Sequence, residues 1–372
     1  PLVFADLSVF LTHGVPQVKF VDRTFNCDKA HALGIWKWLA AHDNGVTNFH
    51  FELSGELLDE ETLAFLAGVR PLLFQFEIGV QSTNPQTLQE TDRPANLPKL
   101  FIAVRRLLGP GNIHVHLDLI AGLPYEEYTR FQTSFNDVYA CKPHQLQLGF
   151  LKVLPGSHMQ QQAETYGLLY TNNAPYEVLQ NRWISYPQLV LLHGVAHMVN
   201  IYYNSYRFQH IIAHLVALFP DAFSFYLALW QHYQTVTQGK PLSEMGYYSL
   251  LESFMQAQGF EATEQMQWLA KFDLLLHGKP KKLPPWITAD VSHTYRDAIQ
   301  GFFKKPDNIK NYLPEYAADS STRVERTAHL EIFPFNPATG EDGAVAIVFN
   351  YRRRSIAGVA RFHVLPLKTL VP

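Results

Sequence analysis

Two cysteines, Cys27 and Cys141, are all that 372 residues provide. So few thiols argue against a disulfide framework and suit a reducing cytoplasm, the expected location. Charge of one sign is equally scarce. Thirty Lys and Arg stand against 33 Asp and Glu, for a net charge of −3, which gives no electrostatic basis for binding nucleic acid or an anionic membrane. No apolar run approaches the ~20 residues that span a bilayer, and no signal peptide opens the chain. Methionine is missing from the first position, where Pro1 leads directly into a helical pattern; the expectation is a piece excised from a longer protein. What is present, 47% hydrophobic and 17% charged residues, is an ordinary globular composition. The length suits two domains, or one large barrel with an appendage.

Between Val18 and Lys152 short β-rich runs alternate with helical stretches. Strands are expected at "VKFVD" (18–22), "NFHFE" (48–52), "LFQFEIG" (73–79), "IHVHLDLI" (113–120) and "QLQLGFL" (145–151). Their ends fall roughly 25–40 residues apart, the span of a βα unit with its loops. Residues 29–45 place Leu33, Trp36, Leu39 and Ala40 on one helix face, with Gly45 as a stop. Asp59 suits an N-cap for "LDEETLAFLAG", which ends near Gly68, and Asn84 caps a helix whose first position is Pro85. Residues 2–13 read as the helix of an earlier unit whose strand is absent. Parallel strands joined by helices define the α/β class. After "VLPGS" (153–157) the period changes. Residues 176 to about 275 read as helical and aromatic, 277–286 as a Pro/Lys-rich connector, and "HLEIFPF" and "AVAIVFNY" as a β-hairpin around "NPATGEDG". The expected domains are 1–170, 171–325 and 326–372.

Side chains alternate across a strand, so parity sorts each run into two faces. His114, His116 and Asp118 oppose Ile113, Val115, Leu117 and Leu119; Gln75, Glu77 and Gly79 oppose Phe74, Phe76 and Ile78. His50 and Glu52 oppose Phe49 and Phe51, and Gln145 and Gln147 oppose Leu146 and Leu148. With helices over the apolar faces, the polar faces point into a barrel. A filled barrel packs Val, Ile and Leu there, and an unpaired buried polar group costs several kcal/mol. So many inward polar groups imply a solvated or ligand-filled lumen. An antiparallel sheet with one wet face gives the same alternation, but the intervening helices favour parallel crossovers. Asp22, Glu52, Glu77, Gln81 and Asp118 then gather at the C-terminal strand ends, where barrel enzymes keep their sites.

"VKFVDRTFN", "FHFELSGELLDEETL", "FEIGVQSTNPQTLQETDR", "VHLDLIAGLP" and "LGFLKVLPGS", in that order, resemble the radical S-adenosylmethionine (SAM) barrel. They are most similar to its cobalamin-associated and coproporphyrinogen-dehydrogenase-like branches. The resemblance covers residues 1–170. It implies a partial (β/α)6 TIM-like barrel lacking its first strand, followed by a mainly helical domain and a C-terminal β-hairpin. It also implies site roles. Glu52 meets the methionyl end of SAM, Gln81 and Asp118 bond the ribose hydroxyls, and Arg93 pairs with the methionyl carboxylate, which a guanidinium fork suits. Backbone around Asp22, Arg23 and Thr24 takes the place of a glycine-rich loop receiving the amino group, although the glycines are missing here. Glu77 is common in the motif without a defined role, and "LPGS" (154–157) falls near adenine.

The resemblance implies a [4Fe–4S] cluster on a C-x3-C-x2-C loop, which these residues lack. Its ligands are expected upstream of Pro1, as is the cobalamin domain that precedes the barrel in the similar subgroup. In the intact protein the reduced cluster would donate an electron to SAM, cleave its sulfonium bond and start radical chemistry on an unknown small-molecule substrate, fed by a donor such as flavodoxin or ferredoxin. This chain alone is expected to be inactive. No catalytic residue and no metal ligand is assigned within it, and neither nucleic acid nor membrane is expected as a partner. Two alternatives stand beside this reading: a metal-dependent barrel hydrolase using His50, His114, His116 and Asp118, and a degenerate, non-catalytic barrel. His193 and His197, one helical turn apart, lack the Glu of H-E-x-x-H and read as a packed pair. "YRRRS" (351–355) reads as a solvated face.

Overall fold

The structure, a computed structural model, describes residues 2–355 and 358–370. It divides into two compact units, one ending at Val199 and the other beginning at Asn200.

The first unit opens with helix α1 (Leu2–Thr12) and is organised on five parallel strands, β1 (Gln17–Lys19), β2 (Asn48–Leu53), β3 (Phe74–Gln81), β4 (His114–Ala121) and β5 (Gln145–Phe150), hydrogen-bonded in sequential order. The crossovers carry α2 (Lys29–Ala41), α3 (Glu60–Ala67), α4 (Pro85–Glu90) with α5 (Leu97–Leu108), and α6 (Tyr128–Tyr139). Parallel neighbours in chain order, each joined through a helix, make a partial (β/α) barrel. One face of the sheet is the core: Phe49, Phe51, Phe74, Phe76, Val115, Leu117 and Leu146 have no exposure. Trp36 of α2 packs at 5.9 Å from Phe51 and 5.5 Å from Phe76, ring to ring. Each such side chain contributes roughly 1.5–3 kcal/mol on burial.

Local signals set the helix starts. Asp28, Asp59, Asn84 and Asn96 each accept a backbone N–H of the first turn, from His31, Thr62, Gln86 and Lys99. Gly45 is not the stop for α2, which ends at Ala41. An Asx turn intervenes, with Asp43 accepting from Gly45 N and Asn44 accepting from Val46 N and Thr47 N. Side-chain competition for the backbone ended this helix before glycine did. The first strand is also shorter than "VKFVD". Phe20 N still donates to His50 O at 2.9 Å, but the ladder ends at Lys19 and the chain turns away.

Beyond β5 come α7 (His158–Gln161), α8 (Ala163–Tyr166), a small antiparallel pair β6 (Leu169–Tyr170) and β7 (Val178–Gln180), and α9 (Tyr186–Tyr202). The helical stretch expected from residue 176 thus begins ten residues later. In the second unit, α10 (Gln209–Val216), α11 (Ala222–Thr237), α12 (Glu244–Ala257), α13 (Glu264–His277), α14 (Arg296–Lys304), α15 (Pro306–Tyr312) and α16 (Ser321–Thr327) precede β8 (His329–Phe335), β9 (Asp342–Arg354) and β10 (Ala360–Pro366). The expected hairpin is β8–β9, and β10 makes it a three-stranded antiparallel sheet. Its two faces are both apolar. Leu330, Ile332, Ala346 and Val348 pack with Phe302, Ile309 and Val324, while Phe333, Ile347 and Phe349 pack with Trp268, Phe272 and Leu276. Among the described residues no helix is long and apolar enough to cross a membrane.

Candidate functional site

Parallel register stacks the polar face of the first sheet into rows. Lys19, His50, Gln75 and His114 are partners across four strands. One step toward the C-terminal ends, Glu52, Glu77, His116 and Gln145 form the next row. Gly79, Asp118 and Gln147 form the third. The register then shifts between Gly79 and Gln81, and Gln81 adopts φ +66°. Glycine at 79 makes that turn usable: a Cβ there would stand 2.2 Å from Gln81 Nε2 and 3.9 Å from Arg93 Nη1. With only hydrogen in that place, both side chains close over the strand end.

A cavity of about 730 Å³ lies at these C-terminal ends, and Thr24, Glu52, Glu77, Gln81, Arg93 and Asp118 all line it. Of the residues singled out in the sequence, Asp22 is the exception. It is exposed and outside the lining, because β1 ends three residues earlier and leaves it on an irregular segment facing solvent. Lys19 was not anticipated. Its Nζ stands 3.4 Å from both Glu52 Oε1 and Glu77 Oε2; burial lowers its pKa, but the two carboxylates outweigh burial and raise it. The ammonium balances an acidic wall.

Glu77 and Asp118 divide one proton. Contact with His50, whose Nε2 lies 3.1 Å from Glu77 Oε2, outweighs burial and holds Glu77 below the usual carboxylate range. Burial first, and the adjacent Glu77 charge second, push Asp118 well above it. Asp118 is therefore the protonated partner near neutrality, hydrogen-bonded to Glu77. Its Oδ1 remains buried with no hydrogen-bond partner, a group that ordinarily finds one.

Below this pair the lumen holds histidines. His116 Nε2 lies 3.0 Å from Gln75 Nε2 and 2.8 Å from His114 Nδ1, and His144 Nδ1 accepts from Val115 N at 3.1 Å. Burial, then the neighbouring imidazoles, lower His114 to about 3; burial and His50 lower His116 to about 4. These rings are neutral at pH 7. His50, Glu77 and His116 converge, each offering one ligand-type atom within 4.8 Å of the others, the one such set among the described residues. His114 of the H-x-H motif does not belong to it. The His193–His197 spacing makes no metal pair: His193 Nε2 meets Glu177 at 3.0 Å and its ring stacks on Phe150.

Behind the cavity a buried network fixes the turn after β3. Glu126 Oε1 accepts from Ser82 Oγ at 2.6 Å and Ser134 Oγ at 2.8 Å, while Thr83 Oγ1 donates to Asp137 at 2.7 Å. Sequence reasoning missed Glu126, since "PYEEY" reads as an exposed turn and nothing local announces a partner 44 residues away. The two thiols do not fit an iron–sulfur cluster. Cys27 follows β1 at one edge of the sheet and Cys141 precedes β5 at the other edge and the opposite end, whereas cluster ligation needs convergent thiolates.

The fold and cavity thus define an α/β partial-barrel protein with a polar cavity at its C-terminal strand ends. The chain matches the family described as "Protein of unknown function (DUF4080)" over residues 164–349, and it belongs to that family. No curated protein matches it. Among solved structures it is similar to the radical SAM methyltransferase TsrM from Kitasatospora setae with tryptophan substrate and the SAM analogue aza-SAM bound, at 18% identity and TM-score 0.41, covering 52% of this chain and 43% of that one. It is also similar to the radical SAM enzyme coproporphyrinogen III oxidase (HemN) from Escherichia coli, at 20% identity, TM-score 0.33, and 41% and 37% coverage. For Elp3 from Methanocaldococcus infernus the values are 15%, 0.33, and 43% of each chain. The chain spans under half the length of each of these proteins.

Proposed function

We propose that the cavity of the first unit binds SAM and that the chain is part of a radical SAM enzyme acting on a small molecule, with an electron donor of flavodoxin or ferredoxin type. The observation that carries this is convergence: Glu52, Gln81, Arg93 and Asp118, drawn from three of the motifs, line one cavity of about 730 Å³. That volume lies within the range of small-molecule sites. In this reading Gln81 and the unpartnered Asp118 Oδ1 take the ribose hydroxyls, Arg93 takes the methionyl carboxylate, and Glu52 faces the methionyl end. Thr24 stands beside the amino group, and Glu77 orients Asp118. SAM beside a reduced [4Fe–4S] cluster supplies radical hydrogen abstraction. The thiols of this chain do not fit that cluster, so its residues are assigned only the task of holding SAM in one pose.

Calorimetric titration of the 372-residue chain with SAM tests the proposal. A single site is expected. Gln81→Ala and Asp118→Ala should each weaken it about tenfold or more, the loss of ~1.5 kcal/mol that one buried hydrogen bond represents. Absence of binding at about 1 mM SAM, where even a −4 kcal/mol site is half filled, overturns it.

A further inference from the structure

The rows beneath the proposed SAM site contain a feature that SAM does not use. His50, Glu77 and His116 sit on three adjacent strands, with Glu77 and His116 direct register partners and His50 one row below. Their ligand-type atoms lie within 4.8 Å of one another. His50 and His116 are each 7% exposed. His50 Nε2 is buried with no hydrogen bond of acceptable geometry, although Glu77 Oε2 is only 3.1 Å away. A buried imidazole nitrogen on a β-strand, facing a carboxylate and a second imidazole at these distances, has the geometry of a metal-ligand set.

We propose that His50, Glu77 and His116 form a binding site for a divalent first-row transition metal ion. Two imidazoles and a carboxylate suit zinc and its neighbours, and exclude Mg²⁺ and Ca²⁺, which take oxygen ligands. The scaffold is appropriate, because ligands on strands are held more firmly than ligands on loops. Outer partners are in place as well. Gln75 Nε2 and His114 Nδ1 both contact His116, and His144 stacks on His114 at 5.0 Å between ring centres. Such neighbours orient ligating imidazoles and select which nitrogen faces the ion. Three protein ligands leave coordination positions open. Glu77 is common to this site and the cavity above, so an ion here lies at the cavity floor. The inference does not depend on the cavity's ligand being SAM.

The test uses the full chain, stripped of metal with chelator and titrated with Co²⁺ and then Zn²⁺. Co²⁺ should bind one per chain and develop visible d–d absorption, and Zn²⁺ should displace it. His50→Ala and His116→Gln should each weaken Zn²⁺ binding at least 100-fold, and His114→Gln, which removes only an outer partner, about 10–100-fold. His193→Ala, at the exposed histidine, should leave it unchanged. Gln81→Ala should also leave Zn²⁺ binding unchanged, which separates this site from the SAM reading. Circular dichroism of each variant establishes that it is folded. Absence of a stoichiometric Co²⁺ spectrum, or Zn²⁺ affinity that survives the folded His50→Ala, His116→Gln double variant, overturns the proposal.

Discussion

The parallel sheet of the first unit and the antiparallel sheet of the second answer the same problem differently. Both bury strands, yet only the second covers its two faces with apolar side chains, Phe302 and Val324 on one side and Trp268 and Phe272 on the other. It buries charge too: Lys271 Nζ stands 3.2 Å from Glu331 Oε1, and Glu331 Oε1 and Tyr351 Oη are buried without hydrogen bonds. The first sheet gives one face to core and lines the other with Lys19, His50, Glu77, His116 and Asp118, leaving Asp118 Oδ1 and His50 Nε2 without hydrogen bonds. Such atoms, each costing about 1–3 kcal/mol unmade, occur in both sheets; the first differs in gathering acidic and imidazole side chains in register on one face. In the first sheet one such atom, Asp118 Oδ1, belongs to a residue that lines the cavity.

The comparison can be broken by mutation. The largest effect belongs to the antiparallel sheet: Phe272→Ala removes a ring with no exposure and should cost about 3–5 kcal/mol in denaturant unfolding. The same cost from a lumen residue would mean that the two sheets are alike. Asp118→Asn, by contrast, should leave unfolding free energy within about 1 kcal/mol or raise it, since it removes a raised buried carboxyl, while SAM affinity falls. Gly79→Ala should act on binding with little effect on stability. Its Cβ would drive the Gln81 carboxamide from 2.2 Å, so titration should show weakened SAM with a melting temperature close to that of the parent.

The smallest effect is a pH dependence. Burial raises the Glu126 carboxyl above its ordinary value, against the hydrogen bonds from Ser82 and Ser134. A folded-state pKa above the unfolded one means that the folded protein holds the extra proton. Stability from this group is therefore present below the unfolded carboxyl value, about 4.3, and is lost as pH rises through the raised folded value. Relative to Glu126→Gln, the parent should lose stability over that window. A difference that grows with pH instead would show Glu126 ionised and favourably paired.

Strand parity made much of this legible in sequence. It separated Phe49, Phe51, Phe74 and Phe76 from His50, Glu52, Gln75 and Glu77, and the structure buries the first set completely. Caps at Asp59 and Asn84 were equally readable, because a cap is a contact within three residues. What stayed hidden depends on distance. Lys19 reaches Glu77 across 58 residues, and Glu126 reaches Ser82 across 44. Convergence of Glu77, rather than His114, with His50 and His116 depends on register between strands, which no single strand encodes. The displacement of Asp22 and the third strand β10 were missed for a related reason: where a short strand stops, or gains an edge partner, is decided by its neighbours.

A structure of the chain soaked with SAM would test the central claim most directly. The account predicts the nucleoside in the lumen mouth, with its ribose hydroxyls within hydrogen-bond distance of Gln81 and Asp118 and its carboxylate on Arg93. A molecule seated elsewhere, or a lumen that stays filled with water while SAM is bound in solution, would contradict it.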